Sequence, residues 1–226
     1  MTFYLKAKDV LENSQEYKLL GLMSEGLGNL NRKQKLFDAA LINFRTSLQF
    51  YSKMPDSLGI SFAYRNIGRV FLYKEQLDSA YYYFDKALHI ADIKKYPSVS
   101  SMLLEVGVVH RSAGDYLGAE SYFLSFIEQE RNENNLYSGY LALGNLYLYM
   151  NRLEDAKMYL TLCLKSSNLV IKRDACECLY DLEKELDNFK GAIGYKDIAD
   201  SLRIITQDID IQNSIATLQS RYNSEK

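Results

Sequence analysis

The sequence predicts an all-α fold built as a stack of antiparallel helix pairs. Two observations predict it. Proline occurs only twice, at Pro55 and Pro97, in 226 residues rich in Leu, Ala, Tyr, Glu and Lys, a mixture that favours helix almost throughout. One pattern also recurs: a Gly in one amphipathic stretch is followed twelve residues later by a small residue in the next.

Four copies are clear: Gly28 with Ala40, Gly68 with Ala80, Gly107 with Ala119, and Gly144 with Ala156. Four positions beyond each Ala stands a large apolar residue, respectively Phe44, Phe84, Phe123 and Leu160. A paired slot follows, Ser47-Leu48, Ala87-Leu88, Phe126-Ile127 and Cys163-Leu164, which completes one helical face. The residue types have a steric reason. A glycine where two helices cross lets the backbones approach, which compensates for its helix penalty of roughly 1 kcal/mol. Between the helices, Gly114-Asp-Tyr and Asn151-Arg-Leu offer residues that adopt the left-handed conformation closing a helix.

A fifth, degenerate copy ends the stack, with Ala192 and Ala199 in the small slots and Tyr180 in place of the crossing glycine. At the start, Phe3, Tyr4 and Ala7 read as the remainder of a second helix. The expected organisation is a remnant or capping helix over 1–14, a repeat domain over 15–202 and a C-terminal capping or connector helix over 203–226.

Composition limits the chemistry. With 27 Lys plus Arg against 29 Asp plus Glu, the net charge of −2 gives no whole-molecule field for nucleic acid or an anionic membrane. Cys163, Cys176 and Cys178 are too few for a disulfide framework and lack a second Cys or His pair to complete a metal site. The first residues lack the features of a secretory signal, and no apolar stretch approaches the length of a membrane span. There is no Gly-x-Ser-x-Gly elbow, phosphate loop or His-Glu-x-x-His motif, so neither catalysis nor a cofactor or metal is expected. His89 and His110 are expected to be structural, and the Tyr81-Tyr82-Tyr83-Phe84 run to serve packing.

The run Tyr64-Arg-Asn-Ile-Gly-Arg-Val-Phe-Leu-Tyr-Lys-Glu-Gln-Leu-Asp-Ser-Ala-Tyr-Tyr-Tyr-Phe-Asp-Lys-Ala-Leu resembles the tetratricopeptide repeat family. Successive alanines lie 40, 39 and 37 residues apart, longer than the family's unit of about 34. The resemblance implies a right-handed solenoid in which the first helix of each repeat lines a concave groove for a partner peptide or helix. On that register the groove residues are Asn29 and Arg32; Phe62, Arg65, Arg69 and Tyr73; Leu104, Val108 and Arg111; and Asn145 and Tyr149. The arginines suit an acidic or amphipathic peptide. The carboxylate clamp of the family's chaperone adaptors is not expected, because Glu25, Ser101 and Glu105 stand where its cations belong.

Towards the C-terminus, Ile198-Ala-Asp-Ser-Leu and the stretch from Ile211 to Lys226 resemble the segment after the repeats in membrane-anchored bacterial regulators, especially of the Bacteroidetes. That resemblance implies the input module of a signalling or transcriptional regulator on the periplasmic side of the inner membrane. A free-standing cytoplasmic assembly scaffold and a carbohydrate-uptake accessory protein are the alternatives. Ile211, Ile215, Leu218 and Tyr222 make a narrow apolar seam that either packs back on the fifth repeat or pairs with a second chain. A monomer or weak homodimer is expected.

Overall fold

The computed structural model describes residues 16–54, 56–96 and 99–224. The capping helix expected over 1–14 lies outside them. Among the described residues there are ten helices and no strand: α1 (Tyr17–Lys33), α2 (Phe37–Ser52), α3 (Ser57–Tyr73), α4 (Leu77–Ile93), α5 (Val99–Ser112), α6 (Tyr116–Gln129), α7 (Glu133–Tyr149), α8 (Leu153–Cys163), α9 (Leu169–Glu185) and α10 (Phe189–Ser224). The chain divides into two compact units, residues 1–125 and 126–226.

In the first unit the crossing glycines act by close approach. A Cβ on Gly28 would stand 2.5 Å from the Phe44 ring, and one on Gly68 would stand 2.9 Å from the Phe84 ring. Both rings are fully buried, as are Ala40 and Ala80 beside them. Each phenylalanine thus fills the space that its glycine vacates. A recurrent hydrogen bond reinforces the pairing: Ser47 Oγ donates to the Gly21 carbonyl, and Ser61 Oγ to the Ala87 carbonyl, both at 2.9 Å. These buried hydroxyls therefore have partners, as buried polar groups require.

In the second unit Gly144 makes the same approach to Leu160, with 2.7 Å between its added Cβ and that side chain. Cys163 Sγ occupies the slot of Ser47 and lies 3.6 Å from the Tyr137 carbonyl. Burial pushes the Cys163 thiol up to about 12 and the Cys178 thiol up to about 11. At neutral pH both are protonated core groups rather than nucleophiles. Buried Glu183 of α9 pairs with Lys157 Nζ at 2.7 Å and accepts from Asn188 Nδ2 at 2.6 Å, and the lysine holds its carboxyl below the ordinary range.

The turns inside the pairs close through left-handed residues. Gly114 (φ 81°) and Asn151 (φ 55°) adopt that conformation as expected, and Lys35, Glu75 and Asp187 do so without being glycine. The degenerate fifth pair is α9 with α10, where Ala192 and Ala199 are buried. Tyr180 sits at its edge, with Lys184 Nζ 5.0 Å and Lys196 Nζ 5.8 Å from the ring centre.

No helix boundary falls at residue 203. Helix α10 continues unbroken to Ser224, and what changes is its surroundings. Leu202 is buried, and Arg203 is tied to Glu177 of α9 at 2.6 Å. Beyond them no described side chain up to Ser220 is buried. Ile204, Ile211, Ile215 and Leu218 are exposed and, at about 100° per residue, are turned away from the face that Ala192, Ala199 and Leu202 bury. The seam therefore does not pack back on the fifth repeat. The Tyr222 side chain lies outside the described residues.

Among the described residues no helix is long and apolar enough to cross a membrane, and no group of three His, Cys, Asp or Glu side chains is placed to hold a metal ion.

Candidate functional site

The first helices α1, α3 and α5 of the first unit present a common face, and a ladder of polar contacts runs across it. Tyr51 is buried, and its hydroxyl donates to Glu25 Oε2 at 3.2 Å; burial and the neighbouring carboxylate push its phenol pKa well up. The other Glu25 oxygen accepts from Asn66 Nδ2 at 2.9 Å, which joins α1 to α3. The next rung joins α3 to α5. Arg65 grips Glu105 in a fork, Nε to Oε2 at 2.9 Å and Nη2 to Oε1 at 2.8 Å. Arg69 Nε donates to the same Oε1 at 2.8 Å, and its Nη2 also meets that oxygen. Arg65 and Glu105 are each only 16% exposed.

This geometry corrects the simplest reading of the two arginines. They are not two free cations, because both are committed to Glu105. Two guanidinium charges on one carboxylate still leave one positive charge in excess, and Arg69, 31% exposed, is its more accessible bearer. Arg111, two turns or less along α5 from Glu105, is half-buried and has no charged partner among the described residues. Half-buried Leu104 and Val108 lie on the same helix.

The remaining residues of the expected groove divide. Arg32 reaches over the Tyr73 ring, 5.7 Å from its centre, and that ring stacks on Phe37 at 6.0 Å. Arg32 Nε is buried without a hydrogen-bond partner. Asn29 is half-buried on α1. Phe62, placed in the groove by spacing, packs against Ala87, Ala91 and Met102. The residue is half-buried. In the second unit Asn145 Oδ1 accepts from Cys178 Sγ at 2.9 Å, and Tyr149 is 67% exposed.

The aromatic run on α4 is mixed. Phe84 is buried and Tyr83 stacks on Phe71 at 5.4 Å, whereas Tyr82 is exposed with Lys86 Nζ 4.4 Å from its ring centre. Tyr81 meets His110 edge-on at 5.4 Å, and His110 also packs on Tyr122 at 4.9 Å. His89 is exposed. Spacing could place residues on a face, but the neutralising Glu105 was legible only as a residue forty positions from Arg65; an oppositely charged residue one repeat away, on the same face, was its signal.

A part-buried ladder joining first helices and an amphipathic face beside it define a helical-repeat scaffold. The comparisons agree: residues 19–92 match the tetratricopeptide repeat family. A curated relative, the uncharacterized protein ycf37 of Guillardia theta, is 25% identical over 126 residues, 56% of this chain and 67% of the relative. Among solved structures, BtubC (BKLC) from P. vanneervenii superposes with a TM-score of 0.77 at 16% identity, covering 90% of this chain and 88% of the other. YrrB, described as a tetratricopeptide repeat protein with an unusual peptide-binding site, gives a TM-score of 0.56 at 19% identity and 87% and 91% coverage. PilF of Pseudomonas aeruginosa gives 0.62 at 17% identity, with 96% and 90% coverage. These structures share the fold.

Proposed function

We propose that the face of α1, α3 and α5 binds an amphipathic peptide or helix that carries a carboxylate. The observation behind this reading is the excess positive charge of the Arg65–Arg69–Glu105 cluster, beside Arg111, which has no charged partner among the described residues, and the apolar edges of Leu104 and Val108. A ligand carboxylate would pair with Arg111 and with the outer edge of Arg69, while the ligand's apolar side lies on the two aliphatic side chains. Asn29, Arg32 and Tyr73 extend the face at α1 and at the end of α3, and Asn145 and Tyr149 are the corresponding residues of the second unit.

The test is a fluorescence titration with amphipathic helical peptides bearing either Glu or Gln on their polar side. The Glu peptides should bind more tightly. Arg69→Glu combined with Arg111→Glu should weaken them about tenfold or more while the circular-dichroism spectrum stays helical. Glu105→Gln, which releases both arginines, should strengthen binding. Equal affinity for Glu and Gln peptides, or indifference to the double reversal, would sink the assignment.

The exposed continuation of α10 favours one addition, that this module is the input part of a larger signalling or regulatory protein, with α10 as its connector. Exposed Ile204, Ile211, Ile215 and Leu218 form a seam of about two heptads, too short to hold a strong dimer alone. Sedimentation should therefore show a monomer in weak, concentration-dependent equilibrium with a dimer. Replacing Ile215 and Leu218 by Asp should abolish that association and leave the melting temperature of the repeats unchanged. A chain whose self-association ignores both substitutions has no such connector.

A further inference from the structure

Away from the first-helix face, the start of α4 and the end of α5 enclose a surface pocket of about 400 Å³. Leu77, Val109 and Ala113 give it an apolar floor, Tyr81 and His110 a wall, and Asp78 and Asp115 a charged rim. Asp115 is engaged: its Oδ2 lies 2.7 Å from His110 Nδ1, and its Oδ1 accepts from the Gly118 amide at 3.0 Å. Those contacts hold its carboxyl below the usual range, the Gly118 amide contributing most. Asp78 is exposed and has no partner among the described residues. A second hollow continues past Ala113 to Glu75, so the rim is acidic on more than one side.

The preceding repeat shows how the equivalent carboxylate is paired. One repeat earlier, Asp38 stands two residues before Ala40, as Asp78 stands two before Ala80. Lys74 stands six residues after Gly68, as Ala113 stands six after Gly107. At that first junction Lys74 stands beside the hollow lined by Leu36, Phe37 and Ala39, and its ammonium meets Asp38 at 2.8 Å. At the second junction the lysine is replaced by an alanine. The acceptor remains, the apolar floor remains, and the cation is gone.

We propose that this pocket is a second, separate interaction site that receives a lysine or arginine side chain from a partner polypeptide. The alkyl stem lies on Leu77, Val109 and Ala113, the cation pairs with Asp78, and the Tyr81 ring offers a π-face beside it. The site recognises the opposite charge from the first-helix face. It does not depend on the reading of that face, because none of its lining residues belongs to the Arg65–Arg69–Glu105 cluster.

The chain itself supplies the decisive variant. Ala113→Lys restores at the second junction the residue that pairs with the aspartate at the first, at an exposed position just past the end of α5, where Lys74 also sits just past the end of α3. The probe is the tripeptide acetyl-alanyl-arginyl-alanine amide, followed by amide chemical shifts in the intact chain, with the uncharged citrulline tripeptide as its control. The arginine peptide should give saturable shifts at Leu77, Asp78, Tyr81, Val109 and Ala113, and the citrulline peptide should not. Asp78→Asn should weaken the response about fivefold. Ala113→Lys should remove it while the circular-dichroism spectrum stays helical. Absence of saturable shifts, an equal response to citrulline, or a response that survives Ala113→Lys overturns the proposal.

Discussion

Ala80→Asp is expected to abolish cooperative folding of the first unit. Ala80 is fully buried among Phe84, Val106 and Val109, with Leu72, Leu77 and Tyr122 packed around them. A carboxylate there meets neither a cation nor a hydrogen-bond donor, and room for it exists only if α4 moves away from its neighbours. An unpaired buried charge costs about 4 kcal/mol or more once the group protonates or the packing opens. Domain stabilities are only about 5–15 kcal/mol, so most of the margin disappears. Because stacked repeats share interfaces, the loss should spread from α4 to α3 and α5. Thermal melting followed by circular dichroism should show a broad, early transition. Ala80→Asp melting with wild-type midpoint and steepness would mean that α3 and α4 do not cross at this point.

The second large effect is a contrast in sign among glycines. Replacing a helical glycine by alanine gains roughly 1 kcal/mol in helix propensity. At Gly26 of α1 and Gly194 of α10 nothing lies within 4 Å of the added carbon, so the full gain is expected. At Gly28 the same carbon stands 2.5 Å from the Phe44 ring. Phe44 is fully buried against Ala40, Leu41, Ile67 and Val70, so its ring has nowhere to retreat. Overpacking of this kind costs about 1–3 kcal/mol on its own scale, and here it acts through an enclosed aromatic ring, so it outweighs the propensity gain. Gly28→Ala should lower stability by about 2 kcal/mol where Gly26→Ala raises it by about 1. Urea unfolding of the two variants side by side makes the comparison. If both shift the midpoint in the same direction, glycine in α1 is not there for the crossing.

Much of this architecture was legible because it repeats. The crossing glycines, their alanine partners and the large residue four positions on each report one steric requirement, and four copies make the requirement visible. The left-handed turns at Gly114 and Asn151 follow from residue type. Lys35, Glu75 and Asp187 carry no such mark, since their φ angles are imposed by the helices they join.

The helices that carry the candidate groove residues were legible, but the charge state of those residues was not. Spacing placed Arg65, Arg69 and Arg111 on one face, and the structure keeps all three on first helices. That two of them share Glu105 depends on which rotamers meet across two helices. Helical periodicity specifies the direction of a side chain, not its partner. Phe62 is a related case: a half-buried residue near the border between two faces also packs against whichever neighbour offers an apolar surface, here Ala87, Ala91 and Met102. The Asp78 pocket was invisible in the sequence as a cavity, although Ala113 beside it stands where an earlier repeat has lysine.

The sequence by itself determined the helix pairs, their order and their crossing points, because each is set by local periodicity and residue size. Only the tertiary structure decided which arginines are neutralised, which small slots donate hydrogen bonds to a neighbouring helix, and that the α10 seam stays exposed. Those outcomes depend on distances between residues about 26 to 40 positions apart, which exist only once helices have packed and their side chains have chosen among competing partners.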